Sequence, residues 1–336
     1  MRLPAPLAAA LLLLIGKAFP CCAVSRRPVV NADQSVIMIW DEAQKTQHFI
    51  RQANFRTDAP DVGFIVPSPS RPTLSKSGTG AFAELESITA PPVSGGGFSF
   101  GCSAAPKEMA YGRAVRVIEE KRVAGYDATV LTADSGEALV TWLKAHGYSY
   151  SPEVAEWARP YLGGGWHFTA LKVAKDGGAS EIKASSLRIS FRAERPLFPY
   201  REPASAAAAR ELGAPQRLLR IFFISDARYR AEIAGRTWSG KVVWSGDITR
   251  FRSSLLADLG NPENTPATWW LTEFEDRWPY AQAAGDVYFH RDTNQRAVRR
   301  GELAGQATHD LALLACLTAG LVQPLRRRRC PTPASL

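Results

Sequence analysis

Histidine and methionine are scarce in this chain of 336 residues, which has five histidines, three methionines and five cysteines. The motifs HExxH, HxH and CxxC do not occur, and neither GxGxxG nor GxxxxGKS/T is present. These absences exclude the common templates for zinc proteases, dithiol redox proteins and phosphate-binding loops. We therefore expect no metal site and no cofactor.

A basic excess is also missing from the body of the chain, although the formal net charge is +9. Arg2, Lys17 and the four arginines at 326–329 supply six of the positive charges near the two ends. Without those six, 35 basic residues face 32 acidic ones, a net charge of +3. No strongly basic face is expected from this balance, so the composition argues against a nucleic-acid partner.

The first 18 residues have the three parts of a secretory signal sequence. Arg2 supplies the positive start, and residues 7–15 form an apolar stretch that is too short to span a bilayer. Gly16 and Ala18 place small residues where a signal peptidase reads them, so we predict a signal peptide at 1–18 and an exported, periplasmic or cell-envelope protein. A lipid anchor on Cys21 is an alternative, but Pro20 directly before it fits that processing poorly.

The five cysteines fit export only partly: Cys21 and Cys22 are adjacent, and Cys102 stands alone in the body of the chain. In an oxidising compartment Cys102 is expected to form a disulfide with Cys21 or Cys22, and the sequence does not decide between these two. Cys316 and Cys330 belong to the C-terminal tail. A metal site built from the first three thiols would need a fourth ligand that the sequence does not supply.

The C-terminal tail, residues 306–336, combines a short apolar segment with an arginine run. Residues 311–322 are apolar for only about a dozen positions, short of the roughly 20 that a spanning helix needs. Extending the segment upstream brings in His309 and Asp310, which are costly in lipid. The arginines at 326–329 nevertheless resemble a stop-transfer end. A membrane anchor and a buried or interfacial helix therefore both remain open.

The body of the chain begins with a predicted β-hairpin. Residues 36–40 are continuously apolar, a turn follows, and residues 46–55 partly alternate. Residues 61–66 form a third expected strand, which ends where Pro67 and Pro69 impose an extended exit. The serines between these prolines have no motif partner that would activate them as nucleophiles.

The rest of the body mixes strands and a few helices without regular βαβ alternation, which predicts the α+β class with mainly antiparallel sheets. Helices are expected over 81–89, over 138–146 with an acidic first turn and Gly147 just past the end, and over 152–159. Further strands are expected within 113–131, at 166–174, at 186–191 and at 218–224. The predicted division of the chain is a signal peptide at 1–18, an N-terminal α+β domain at 19–214, a strand-rich C-terminal part at 215–305, and the tail at 306–336.

Several stretches, taken in order, resemble an exported bacterial family known as domain of unknown function 2330. They include NADQSVIMIWDEAQKTQHFIRQANF, DVGFIVPSPSRP, VAGYDATVLTADSGEALVTWLKAHGYSYSP, YLGGGWHFTALKV, LRISFRAERPLFPYREP and, more loosely, WWLTEFEDRW. The resemblance covers most of the chain from about Cys21 to Phe289. It implies an exported protein that often ends in an apolar segment with basic residues, and it implies no activity, cofactor or catalytic residue.

Candidate chemistry is limited to a few scattered residues. A catalytic site assembled from distant positions would draw on Asp33, His48 and His167, and paired carboxylates would come from Asp33, Asp41 and Glu42. Carboxylates in turns, as these three are expected to be, are usually solvated.

Aromatic residues cluster around 269–280. Adjacent Trp269 and Trp270 on a strand would point to opposite faces, so one of them is a candidate ligand-binding surface.

The leading functional hypothesis is a non-enzymatic binding or interaction module of the cell envelope, whose partner is an envelope protein or a small ligand. The alternative is an envelope hydrolase whose site assembles from residues distant in sequence. A third interpretation is a structural part of a larger assembly tethered by the tail. Ligand, biological process and oligomeric state are not specified by the sequence.

Overall fold

The computed structural model describes residues 23–24, 30–31, 34–51, 54–56, 61–91, 115–148, 153–174, 181–183, 186–201, 217–278 and 285–300. The predicted signal peptide at 1–18, the tail at 306–336 and the disulfide partners Cys21, Cys22 and Cys102 lie outside these residues.

Strands dominate the described part of the chain, together with four short α-helices. The strands are β1 (Ala23–Val24), β2 (Val30–Asn31), β3 (Gln34–Asp41), β4 (Thr46–Arg51), β5 (Asn54–Arg56), β6 (Asp61–Ser68), β7 (Thr73–Ser77), β8 (Val115–Val123), β9 (Tyr126–Ala133), β10 (His167–Ala174), β11 (Glu181–Lys183), β12 (Ser186–Arg192), β13 (Leu197–Phe198), β14 (Arg217–Ser225), β15 (Tyr229–Ile233), β16 (Arg236–Thr237), β17 (Lys241–Asp247), β18 (Trp270–Trp278) and β19 (Val287–Arg291). The helices are α1 (Gly80–Thr89), α2 (Gly136–Ala145), α3 (Glu153–Ala158) and α4 (Arg252–Asp258).

The largest sheet has seven strands in the order β17-β18-β14-β3-β4-β12-β7 and is called the main sheet below. Its neighbours pair antiparallel except β14 and β3, which are parallel. The central strands β3 and β14 carry the continuous apolar runs VIMIW and IFFI, and these residues are buried on both faces of the sheet. Such runs are what a strand covered on both sides requires.

The molecule is layered around the main sheet. One face of the main sheet shares a core with a five-stranded sheet, of order β1-β6-β10-β9-β8, and with a four-stranded sheet, of order β13-β19-β15-β16. Its other face packs against α1 and α4 through residues such as Phe82, Leu85 and Leu255. The outer face of the five-stranded sheet is covered by α2 and α3, whose Leu139 and Trp157 are buried there. Four layers therefore follow one another: helices, sheet, sheet, helices.

The predicted hairpin is confirmed as β3 and β4, which pair antiparallel across the turn at 42–45. The third predicted strand also forms, but it lies in a different sheet from the hairpin and ends two residues later than predicted. It is β6, which pairs with β1 and β10 in the five-stranded sheet and continues through Pro67 to Ser68. Pro67 is tolerated because β1 covers only Gly63 and Phe64, so among the described residues the other edge of β6 has no partner at the proline.

Both longer helices form where the sequence predicted them. The Ser135 side chain caps α2 by accepting a hydrogen bond from the Ala138 amide at 3.1 Å. Gly147, just past the end of α2, has φ +72, a conformation that glycine adopts without steric cost. Helix α1 ends before the proline pair at 91–92, as expected.

The predicted division of the chain at 214/215 runs through the main sheet. Strands β17, β18 and β14 come from the C-terminal side of that division, whereas β3, β4, β12 and β7 come from the N-terminal side. The parallel pair of β14 and β3 joins the two groups. The two parts of the chain thus share one sheet.

Candidate functional site

A groove lies at one edge of the main sheet, where α1 and α4 leave the sheet face uncovered. Strand β12 reads SLRISFR, and because side chains alternate along a strand, Leu187, Ile189 and Phe191 enter the core while Arg188, Ser190 and Arg192 face the groove. On that face Ser190 pairs across the sheet with His48 of β4 and Thr73 of β7. The alternation of apolar and polar residues along β12 therefore gives the groove a polar floor.

The loop that follows α4 forms the wall of this groove. Residues 261–264 (NPEN) face the strands, and Asn261 and Asn264 take positive φ values of 46 and 55, respectively. Asparagine is one of the few residues other than glycine that adopts this conformation readily. The cavity has a volume of about 570 Å³, within the usual range for small-molecule sites.

Three arginines give the groove its charge, and we call it the arginine groove: Arg71, Arg188 and Arg192 over the floor residues His48 and Ser190, walled by 261–264. Among the lining residues, Glu263 supplies the single carboxylate. Positive charge therefore exceeds negative charge in the cavity.

The hydrogen bonds of these arginines leave their charges largely uncompensated. Arg188 Nη1 donates to the Leu259 carbonyl at 2.6 Å, and Arg192 Nη2 donates to the Gln44 carbonyl at 3.4 Å. Arg71 makes a long ion pair of 3.4 Å with the partly exposed Glu119. Within the described residues, the buried Nε of Arg188 has no hydrogen-bond partner. Backbone carbonyls therefore position Arg188 and Arg192 without neutralising them, whereas Arg71 has one long contact with a carboxylate.

His48 lies at the floor of the groove and is almost fully buried. Its Nε2 is 2.7 Å from the carbonyl oxygen of Glu263, and its Nδ1 is 2.8 Å from Ser190 Oγ. Burial lowers the pKa of His48, and the positive charge of Arg188 lowers it further, against the opposing effect of the backbone carbonyls. The imidazole is therefore neutral at pH 7.

These contacts fix the tautomer of His48. A carbonyl oxygen can only accept, so Nε2 must carry the proton that it donates to Glu263. In the neutral ring Nδ1 is then an acceptor, and the Ser190 hydroxyl donates to it. The groove thus combines guanidinium groups suited to anions with a hydroxyl that is hydrogen-bonded to a neutral imidazole.

A family model described as "Uncharacterized protein conserved in bacteria (DUF2330)" matches residues 17–290. The chain belongs to the DUF2330 family. Comparison with curated proteins and with solved structures found no match. The match spans every residue of the arginine groove, from His48 to Asn264. The resemblance expected from the ordered stretches is confirmed.

The tryptophans proposed as a ligand surface lie toward the other edge of the main sheet of this DUF2330 protein. Trp269 is fully buried, and its Nε1 donates to the Pro266 carbonyl at 3.0 Å. Trp270 begins β18 and is half-buried, with its Nε1 donating to Ser245 Oγ at 2.7 Å. A ligand-binding role stays a prediction, and Trp270 is the one of the two with exposed surface.

The other sequence candidates are dispersed. His167 begins β10 in the five-stranded sheet, whereas His48 lies in the main sheet, and Asp33 is outside the described residues. Asp41 accepts a hydrogen bond from the Gln44 amide in the hairpin turn, and Glu42 accepts one from Trp40 Nε1. Both acids therefore have local structural partners.

A glycine-rich turn, GTGAFA at 78–83, connects β7 to the start of α1 and resembles the phosphate-binding turn before a helix. The place that a phosphate would take is occupied by the Asp258 carboxylate, whose Oδ2 accepts a hydrogen bond from the Ala81 amide at 2.8 Å. A Cβ at Gly78 would lie 2.4 Å from the Asp258 carbonyl oxygen. The turn holds a carboxylate of the protein itself, and its glycines permit that approach.

A GxSxG string, GFSFG at 97–101, also occurs in the chain, and such strings carry the nucleophile of α/β-hydrolases. It lies outside the described residues, so Ser99 is not placed relative to the groove.

Within the described residues, neither a cluster of metal ligands nor a membrane-spanning helix is present. There, histidine, cysteine and acidic side chains form no group of three or more that could hold a metal ion. No helix in the described ranges is long and apolar enough to cross a membrane.

Asp286 is a buried carboxyl outside the groove, and burial raises its pKa. Its Oδ1 accepts hydrogen bonds from Tyr161 Oη at 2.9 Å and from the amides of Tyr200 and Arg201 at 3.1 and 3.2 Å. Three donors on one oxygen join distant segments of the chain. We assign Asp286 a structural role.

Proposed function

We propose that this DUF2330 protein is an exported cell-envelope protein that binds an anionic small ligand in the arginine groove. The observation that carries the proposal is the trio of arginines lining one cavity, of which Arg188 and Arg192 donate to backbone carbonyls and Arg71 makes only a long, exposed ion pair with Glu119. Export rests on the signal-sequence pattern at 1–18. The binding function requires no catalysis and agrees with an interaction module.

The groove suits a ligand that carries carboxylate or phosphate groups among hydroxyls. Arginine presents a planar fork of donors that matches both anions, and the side chains of Arg71 and Arg192 are exposed at the cavity. Around the arginines, Thr46, Thr73 and Ser75 offer hydroxyl groups to a polar ligand body. Residues 261–264 form one wall of the cavity.

Replacement of Arg192 tests this proposal, because Arg192 is exposed and contributes little to packing. Arg192→Gln is expected to weaken binding of an anion about tenfold or more, since a hydrogen bond to a charged group contributes about 1.5–3 kcal/mol. Calorimetric titration of the mature protein with phosphate, pyrophosphate and citrate measures the loss. Binding is also expected to weaken with added salt.

Arg116→Gln is the matched control, because Arg116 is an exposed arginine of β8 outside the groove. It should leave the anion affinity unchanged. Equal weakening by Arg116→Gln and Arg192→Gln would show that the anions respond only to net charge. Absence of binding by all three anions, with native mass spectrometry of the periplasmic protein showing no retained mass, would also contradict the proposal.

A further inference from the structure

The Ser190–His48 pair in the floor of the arginine groove has the geometry of a nucleophile with its general base. Ser190 Oγ is 2.8 Å from His48 Nδ1, within the range for proton transfer between such groups. The ring is oriented from its other side by the Glu263 carbonyl, 2.7 Å from Nε2. An oriented base beside a hydroxyl is the arrangement by which serine enzymes activate their nucleophile.

The surroundings favour transfer of the hydroxyl proton to the imidazole. Burial and the nearby Arg188 hold the pKa of His48 below its ordinary value, so the ring is neutral and its Nδ1 is free to accept at pH 7. Arg188 lies two residues from Ser190 on the same face of β12. Its guanidinium group is a source of positive charge for an oxyanion that develops next to Ser190.

We propose that Ser190 is a nucleophile and His48 its general base, acting on an ester of an anionic ligand held in the arginine groove. This inference rests on the proposed function, because the arginines supply the binding. It gives the envelope-hydrolase alternative a defined pair of residues, 142 positions apart in the chain. Sequence motifs do not reveal such a pair.

The reaction can be written with all atoms accounted for. The Ser190 hydroxyl gives its proton to His48 Nδ1 while Oγ bonds to the ester carbonyl carbon. Collapse of the tetrahedral intermediate breaks the bond to the alkoxy leaving group, which takes the proton from His48 and departs as an alcohol. In the second half, water gives a proton to His48 Nδ1 while its oxygen bonds to the acyl carbon. Collapse of this intermediate breaks the bond to Ser190 Oγ, which takes the proton back from His48, and the carboxylic acid is released.

A fluorophosphonate probe tests the pair directly, because the serine oxygen displaces fluoride from phosphorus and the adduct is stable. The mature wild-type protein should gain the mass of one probe less HF, and peptide mass spectrometry should locate the adduct at Ser190. Ser190→Ala should abolish this adduct, and His48→Gln should slow its formation about 10²–10⁴-fold, the usual contribution of a general base. The labelling rate should fall at low pH as His48 takes up a proton.

Two further serine variants separate the possible outcomes. Ser253→Ala, on the exposed side of α4, should label as the wild type does. Ser99→Ala tests the GxSxG string: loss of the adduct there, with labelling retained in Ser190→Ala, would overturn the proposal. Absence of any adduct in a folded wild-type protein would overturn it as well, and would leave His48 as a support for the 261–264 loop.

Failure of this inference is distinguishable from failure of the binding proposal. Titration of the wild type and of Arg192→Gln leaves the Ser190–His48 pair intact, so it reports on anion binding alone. A wild-type protein that binds anions but is not labelled would contradict the assignment of Ser190 as a nucleophile and would still support the binding function.

Discussion

Trp269→Ala is expected to lower the free energy of unfolding by about 3–5 kcal/mol, the usual cost of deleting a large buried aromatic side chain. Trp269 is fully buried against the helix-covered face of the main sheet, in the same core cluster as Leu255, Leu259 and Leu271. The Arg252 guanidinium lies 5.8 Å from the centre of its ring.

Trp270→Ala is the matched control, because the neighbouring tryptophan is half-buried. It should cost about 1–2 kcal/mol for lost contact area and for the hydrogen bond to Ser245. Urea unfolding followed by circular dichroism compares the two variants on one scale. Equal losses would contradict the assignment of Trp269 to the core. A loss of ligand binding by Trp270→Ala, with stability nearly kept, would support the sequence prediction for that residue.

Local elements of this fold follow from local chemistry, which is why the sequence predicts them. The hairpin of β3 and β4 combines a buried apolar run with a polar turn, and α2 carries its own start and stop signals in Ser135 and Gly147. These elements are specified by residues within about ten positions of one another. No information from other parts of the chain is needed.

Pairing between distant strands is different. The string DVGFIVPS predicts a strand but not the sheet to which it belongs. The strand, β6, joins the five-stranded sheet and not the main sheet that contains the hairpin. The parallel contact of β14 with β3 joins segments almost 200 residues apart. Such choices depend on which surfaces remain uncovered after the other elements pack, and no short pattern encodes them.

The arginine groove was partly visible in the sequence. Apolar and polar residues alternate in LRISFR, which predicts a strand with Arg188, Ser190 and Arg192 on one face. What the alternation leaves open is whether that face meets solvent, a helix or a loop. The wall formed by 261–264 and the placement of His48 opposite Ser190 arise only when β4, β12 and the end of α4 meet.

Arg220→Met is expected to lower the free energy of unfolding by about 3–5 kcal/mol, because it would leave a buried carboxylate short of positive charge. Arg220 Nε lies 3.0 Å from Glu273 Oε1, and its Nη1 lies 3.0 Å from Glu86 Oε1. Arg300 Nη2 approaches Glu273 and also Glu275, the latter at 2.7 Å. The cluster therefore contains two arginines and three glutamates, and Glu273 is fully buried.

Removal of the negative partner, in Glu273→Gln, should lower the free energy of unfolding far less than Arg220→Met does. It equalises the charges of the cluster at two of each sign, and the amide oxygen can still accept from Arg300. In the double variant, Glu273→Gln should recover part of the stability that Arg220→Met loses. Urea unfolding of the wild type, the two single variants and the double variant gives the coupling energy. Strictly additive losses would contradict a direct interaction between the two side chains.

The pH dependence gives an independent check on Glu273, whose pKa is raised because burial outweighs the attraction of the two arginines. A raised pKa means that the folded protein keeps this proton at a pH where the unfolded chain has lost it. The contribution of Glu273 to stability is therefore complete below the ordinary glutamate pKa of 4.5 and declines as the pH rises through the raised value. Glutamine lacks this titration, so the stability of Glu273→Gln relative to the wild type should increase from pH 4 to pH 7. A relative stability that decreases over that interval would mean that the arginines hold Glu273 ionised more strongly than burial opposes it.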